Sequence, residues 1–113
     1  MTPTDETNQL YNGHIELSPG ATDAHIAVET RNIEALRTIP KEELLFTDID
    51  GETPLHYAAI NDDTEICKIL VNRNIDIVNI KDVENKTAYD WVMEYHEEYK
   101  SHIKTCEFLK KFA

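Results

Sequence analysis

The stretch Asp48-Ile49-Asp50-Gly51-Glu52-Thr53-Pro54-Leu55-His56-Tyr57-Ala58-Ala59 decides the fold. It reads as a tight turn running straight into a helix. Asp50-Gly51 supplies the turn, because Gly takes a positive φ without steric cost. Thr53 suits the N-cap, where its hydroxyl accepts from a first-turn amide that has no other partner. Pro54 falls at the first helical position, where a missing N–H is no loss. Leu55, Ala58 and Ala59 follow at helical spacing, and the two alanines leave a narrow face for another helix. His56 beside Thr53 reads as a structural hydrogen-bonding pair.

The pattern recurs. Thirty-one residues upstream, Gly20-Ala21-Thr22-Asp23-Ala24-His25-Ile26-Ala27 places Gly20 under Gly51, Thr22 under Thr53, His25 under His56 and Ala27 under Ala58. Thirty-four residues downstream, Asp82 falls on Asp48, Asn85 on Gly51 and Thr87 on Thr53. Asn is among the side chains best tolerated in the left-handed region. A second helical segment follows each copy: Asn32 to Thr38, Thr64 to Arg73, and Ser101 to Phe112. In the middle one, Ile66, Ile69 and Leu70 share a face.

Thr53-Pro54-Leu55-His56-Tyr57-Ala58 resembles the T-P-L-H-x-A signature of the ankyrin repeat, whose period is about 33 residues. The resemblance implies an all-α solenoid of stacked helix pairs joined by β-turn loops. Its units would cover about residues 17–47, 48–81 and 82–113, the outer two degenerate as terminal caps. Asn32-Ile33-Glu34-Ala35 resembles the family's outer-helix start, with Arg31 where Gly is usual. Asp62-Asp63 replaces its Gly-His turn. Thr87-Ala88-Tyr89-Asp90-Trp91 resembles a terminal variant, T-A-x-D-W. Glu94 to Lys100 exceeds the family's turn, which implies a longer last inner helix. Lys41 to Phe46 reads as an amphipathic connector with Leu44, Leu45 and Phe46 tucked under the stack. Ile103, Cys106 and Leu109, with Phe108 and Phe112, read as the closing face. Residues 1–16 are polar and aperiodic, expected as a flexible acidic tail.

At 113 residues the chain holds one small domain. Its net charge of −11 lies wholly in residues 1–66, which carry 14 acids and 3 bases; residues 67–113 carry 8 of each. Nucleic-acid binding needs a basic footprint and is excluded on that ground. An acidic half suits a basic protein partner instead. Cys67 and Cys106 read as packed thiols. There is neither a signal-peptide pattern nor an apolar run of membrane-spanning length, so a cytoplasmic protein is expected; one delivered into a host cell would look the same.

Motifs for chemistry fail on inspection. Leu44 to Gly51 imitates the phosphatase pattern D-x-D-G-T, but Glu52 displaces Thr53 by one place. Counted from Asp48, a calcium loop would need Gly at Thr53 and Glu at Ala59. His96 and His102 lack a third metal ligand at helical spacing. No catalytic residue, metal site or cofactor is expected, and the chain reads as a non-enzyme.

By the resemblance, partners meet the turn tips and the exposed side of the inner helices. The slot after the His holds Ile26, Tyr57 and Trp91. Further slots hold Glu29, Ile60 and Glu94, then Thr30, Asn61 and Tyr95. The tips bring Ile49, Glu52, Val83, Glu84 and Lys86. An aromatic strip of Ile26, Tyr57 and Trp91, flanked by Ile60 and Tyr95, is expected to dock a protein, as adaptor or effector. An acidic inhibitor or immunity-type protein that neutralises a basic enzyme is the alternative. The chain is expected as a monomer or partner-bound, with a homodimer contact over Trp91 left open.

Overall fold

Three left-handed backbone positions mark the repeat: Gly20 at φ 87°, Gly51 at φ 76° and Asn85 at φ 66°. The computed structural model describes residues 17–113, so the expected tail over 1–16 lies outside the described residues. Six α-helices follow in order: α1 Asp23–Glu29, α2 Ile33–Thr38, α3 Pro54–Ile60, α4 Thr64–Arg73, α5 Ala88–Tyr99 and α6 Ile103–Lys110. Short 3-10 helices at Lys41–Leu45 and Ile75–Asn79 follow α2 and α4. Among the described residues there is no strand. The inner helices α1, α3 and α5 pack side by side, and each also packs on the outer helix of its own pair. This is the expected stack of helix pairs.

The N-termini of the inner helices are built alike. Backbone N–H groups of Thr22 and Thr53 donate to Nδ1 of His25 and His56, at 2.9 and 3.1 Å. Nδ1 is thereby the acceptor, so Nε2 carries the proton. It donates to a carbonyl of the following turn: His25 to Glu52 at 2.8 Å, His56 to Lys86 at 2.9 Å. Both rings are fully buried. Burial pushes both imidazoles below their ordinary value, consistent with a neutral form fixed by two partners. In the third unit Asp90 takes the histidine's place and accepts from Thr87 N–H at 3.0 Å.

Successive tips also bond to one another. Ile49 N–H donates to the Pro19 carbonyl and Val83 N–H to that of Asp50, at 2.9 and 3.0 Å. The close approach explains the glycine at the middle tip. A Cβ on Gly51 would lie 3.0 Å from the Val83 nitrogen.

The core runs along the stack, through Val28, Leu36, Leu44, Leu55, Ile66, Leu70, Ile77, Val92 and Leu109. Units are tied by polar bridges as well. Arg73 donates to the carbonyls of Leu36 and Ile39, at 2.8 and 2.6 Å, closing the C-terminus of α2. Arg31 pairs with Asp63 and Glu65, both at 2.7 Å. Thr105 bridges Thr64 and Asp62.

Two expectations need correction, at Phe46 and Ile103. Leu44 is buried and Leu45 half-buried, but Phe46 is exposed beyond the end of its 3-10 helix. Cys106 and Leu109 are buried as expected, whereas Ile103 begins α6 and faces solvent. Cys67 is fully buried, and burial raises its thiol pKa, the setting of an inert packing residue. The last inner helix is long, 12 residues against 7 in α1 and α3.

Candidate partner-binding face

The middle and last tips are each organised by one aspartate. Asp48 Oδ1 accepts from the N–H groups of Asp50 and Glu52, at 2.9 and 3.0 Å. Asp82 Oδ1 does the same for Glu84 and Lys86, at 2.9 and 3.0 Å. Both aspartates are buried. Their other carboxylate oxygen reaches the side chain nine residues on. Tyr57 donates its hydroxyl to Asp48 Oδ2 at 2.6 Å, and Trp91 donates its indole N–H to Asp82 Oδ2 at 2.7 Å.

This pairing corrects the expected strip. Tyr57 has no exposed surface: its hydroxyl is drawn inward by Asp48 and its ring meets His25 edge-on at 4.7 Å. Burial, with the bond to Asp48, holds its phenol well above the ordinary value. Tyr57 is therefore core, and the column from Ile26 to Trp91 is interrupted at its centre. Glu29 is likewise buried and accepts from Asn61 at 2.5 Å, a bridge between units. Neither Tyr57 nor Glu29 presents a surface for a partner. Ile26 is exposed but lies apart, lining a shallow depression with Asp23, Ala27, Thr30 and Ile39.

The remaining expected residues stay accessible. Among the described residues Ile49 and Val83 are the most exposed large apolar side chains, at 67% and 70%, and sit on adjoining tips. Glu84 and Glu94 are exposed; Glu52, Ile60, Asn61, Trp91 and Tyr95 are half-buried. Glu52 lies within electrostatic reach of Asp48, Asp82, Asp50 and Glu84. Burial, reinforced by these carboxylates, pushes its carboxyl up to about 7.

Sequence reasoning missed how far the aromatic surface extends along α5. Trp91, Tyr95 and Tyr99 fall at i, i+4 and i+8, one helical face. Tyr95 stacks near both neighbours, with centroids 6.2 Å apart in each case. His102 stacks on Tyr95 at 4.9 Å while its Nε2–H donates to the Ile60 carbonyl at 2.8 Å. Lys86 Nζ sits 4.1 Å from the Trp91 ring centre and pairs with Glu94 at 2.7 Å. The four-residue spacing of the three aromatics was visible in the sequence and could have located Tyr99.

The arrangement is a rigid repeat scaffold that presents side chains from turns and inner helices. Residues 24–112 match the family described as ankyrin repeats, in three copies. The chain belongs to the ankyrin-repeat family, whose domains are protein-interaction modules without catalytic machinery of their own. It is 33% identical over 92 residues to protein phosphatase 1 regulatory subunit 12A of Mus musculus and, equally, of Rattus norvegicus; this covers 76% of the chain and 9% of each relative. It is 27% identical over 81 residues to palmitoyltransferase akr1 of Neurospora crassa, covering 66% of the chain and 11% of that protein. The chain thus spans about a tenth of the length of these curated relatives. Among the described residues no helix is long and apolar enough to cross a membrane.

Proposed function

We propose that the chain acts as a non-catalytic adaptor or effector in the cytoplasm, docking a protein partner on the tips and the exposed side of α5. One observation carries the reading: the apolar tips Ile49 and Val83 stand exposed on adjoining, hydrogen-bonded turns beside the aromatic face of α5. Both tips are fixed by backbone bonds to a buried aspartate, so docking here loses little ordering entropy. The test is capture of partners from cytosol by the immobilised chain and by an Ile49→Asp, Val83→Asp double variant that keeps its helical circular dichroism. Loss of a partner by the variant supports the reading. A partner retained at the wild-type level on the folded variant removes it.

The second reading, an acidic inhibitor or immunity-type protein, draws on the carboxylates around Glu52, which make this edge strongly negative. A basic enzyme would be held by charge, so binding would fall steeply with salt. Neutralising Asp50, Glu52 and Glu84 would then abolish binding while the Ile49/Val83 variant retains it.

A further inference from the structure

From Asp82 to Tyr99 the chain places one cation, Lys86, among Asp82, Glu84, Asp90, Glu94, Glu97 and Glu98. That cation folds back onto a neighbouring ring, with part of its side chain still in water. Its ammonium lies over the Trp91 ring at 4.1 Å, within the range of a cation–π contact, and pairs with Glu94. The ring beneath it is held in place by the indole N–H bond to buried Asp82. Tyr95 continues the surface at 28° to the indole and is braced from behind by His102, itself fastened to Ile60. The face is therefore a preformed aromatic seat with carboxylates at its margin, occupied by a side chain of the same turn.

We propose that Trp91 and Tyr95 seat an arginine side chain of a protein partner, with Lys86 as the occupant that the arginine displaces. This rests on the docking reading above and names the chemistry of the partner. The Lys86–Glu94 pair is partly exposed, with 27% and 49% of the two side chains accessible, so solvent already weakens it. A guanidinium is planar and less strongly hydrated than an ammonium. It lies flat on an indole and takes both oxygens of a carboxylate, which the lysine cannot do. The exchange therefore trades a point-charge contact for a stacked, two-bond one at the same ring and the same Glu94. Val83 and Ile49, on the tips next to Lys86, fit apolar side chains flanking that arginine.

Trp91 is the sole tryptophan, so its emission reports on the seat directly. The probe is an extended peptide of about ten residues alternating Leu and Arg, with a citrulline-for-arginine peptide of the same shape and no charge. The arginine peptide is expected to change Trp91 emission saturably and the citrulline peptide not. Lys86→Gln, which empties the seat, should tighten the arginine peptide by about threefold or more. Lys81→Gln removes an equal charge outside the seat and should have a smaller effect. Tyr95→Leu should weaken binding by about fivefold. Equal binding of both peptides, or Lys86→Gln binding no tighter than Lys81→Gln, overturns the arginine seat. Equal binding with the Tyr95→Leu loss intact would leave a docking face without a cation preference. Failure of the docking reading itself shows separately, as indifference to the Ile49 and Val83 changes.

Discussion

The middle and last units use one plan and end it differently. In the middle unit His56 reaches forward to Lys86, Gly51 lies under the next tip, and Tyr57 is sealed inside by Asp48. In the last unit Asp90 takes the His slot and is exposed, Asn85 takes the Gly slot and is exposed, and Trp91 replaces Tyr57 with part of its ring accessible. Among the described residues no further turn is stacked on this unit. The ring that the middle unit keeps in its core is partly accessible in the last one, and the exposed aromatic surface concentrates on α5.

The comparison is broken most directly at the tips. Gly51→Ala combines a left-handed φ of 76° with a Cβ 3.0 Å from the Val83 backbone. We expect a loss of about 2–4 kcal/mol, measured by urea unfolding. Asn85→Ala keeps the left-handed φ but among the described residues meets no following turn, and should lose about 1 kcal/mol. Equal losses at the two sites would mean that tip stacking contributes nothing.

The aspartate–aromatic pairs come next. Tyr57→Phe withdraws the donor from a buried carboxylate and should destabilise by about 2 kcal/mol. Trp91→Phe withdraws the matching donor from Asp82 where the ring is half-exposed, so about half that loss is expected. Because the two sites share one geometry, Trp91→Tyr should be milder than Trp91→Phe. A Trp91→Tyr loss as large as that of Trp91→Phe would show that the units are not interchangeable here.

These contrasts also show what the sequence made legible. The turn register, the left-handed Gly20, Gly51 and Asn85, the structural histidines and the ends of α1 and α4 all follow from local rules about caps and φ. The face was less legible because it depends on nonlocal partners. Tyr57 and Trp91 occupy the same slot and bond to the same kind of aspartate nine residues before, but Tyr57 is also met by Ser18 and the His25 ring, contacts made across 39 and 32 residues of sequence. Glu29 was expected on the partner-binding face, but it is buried and held by Asn61 of the next unit. The extra length of α5 was foreseeable from Glu94 to Lys100. That it would bring His102 back against Tyr95 was not.

The middle unit should also show in the pH dependence. Glu52 titrates at about 7 in the folded chain against 4.5 ordinarily, so its contribution is fully present below 4.5 and is lost as pH rises through 7. His25 and His56 are lowered from 6.5, so theirs is present above 6.5 and is lost on acidification below it. The two slopes oppose each other between 4.5 and 6.5. Glu52→Gln should raise stability at pH 8 by about 1–2 kcal/mol after solvent screening, and should steepen the loss between pH 6.5 and 5. Parallel curves for wild type and variant would locate the acid sensitivity elsewhere.

The smallest effects expected are at the turn between inner and outer helix, where the units again differ. Arg31, Asp62 and Lys100 occupy this turn at φ 53°, 59° and 57°, each a strained choice where glycine would be free. Arg31 recovers the strain through Asp63 and Glu65, and Asp62 through the hydroxyl of Thr105. The Lys100 side chain has a 3.5 Å contact from its ammonium to the Glu97 carbonyl and no inter-unit hydrogen bond or ion pair among those of the described residues. Lys100→Gly should therefore stabilise the chain by about 0.5 kcal/mol, the relief of strain outweighing the added freedom of the unfolded chain. Asp62→Gly should be near neutral, and Arg31→Gly should destabilise because an inter-unit ion pair goes with it. Thermal midpoints of the three variants order them directly. If Arg31→Gly stabilised as much as Lys100→Gly, the Arg31 pairs would be surface decoration, and the units would be joined through their cores and tips alone.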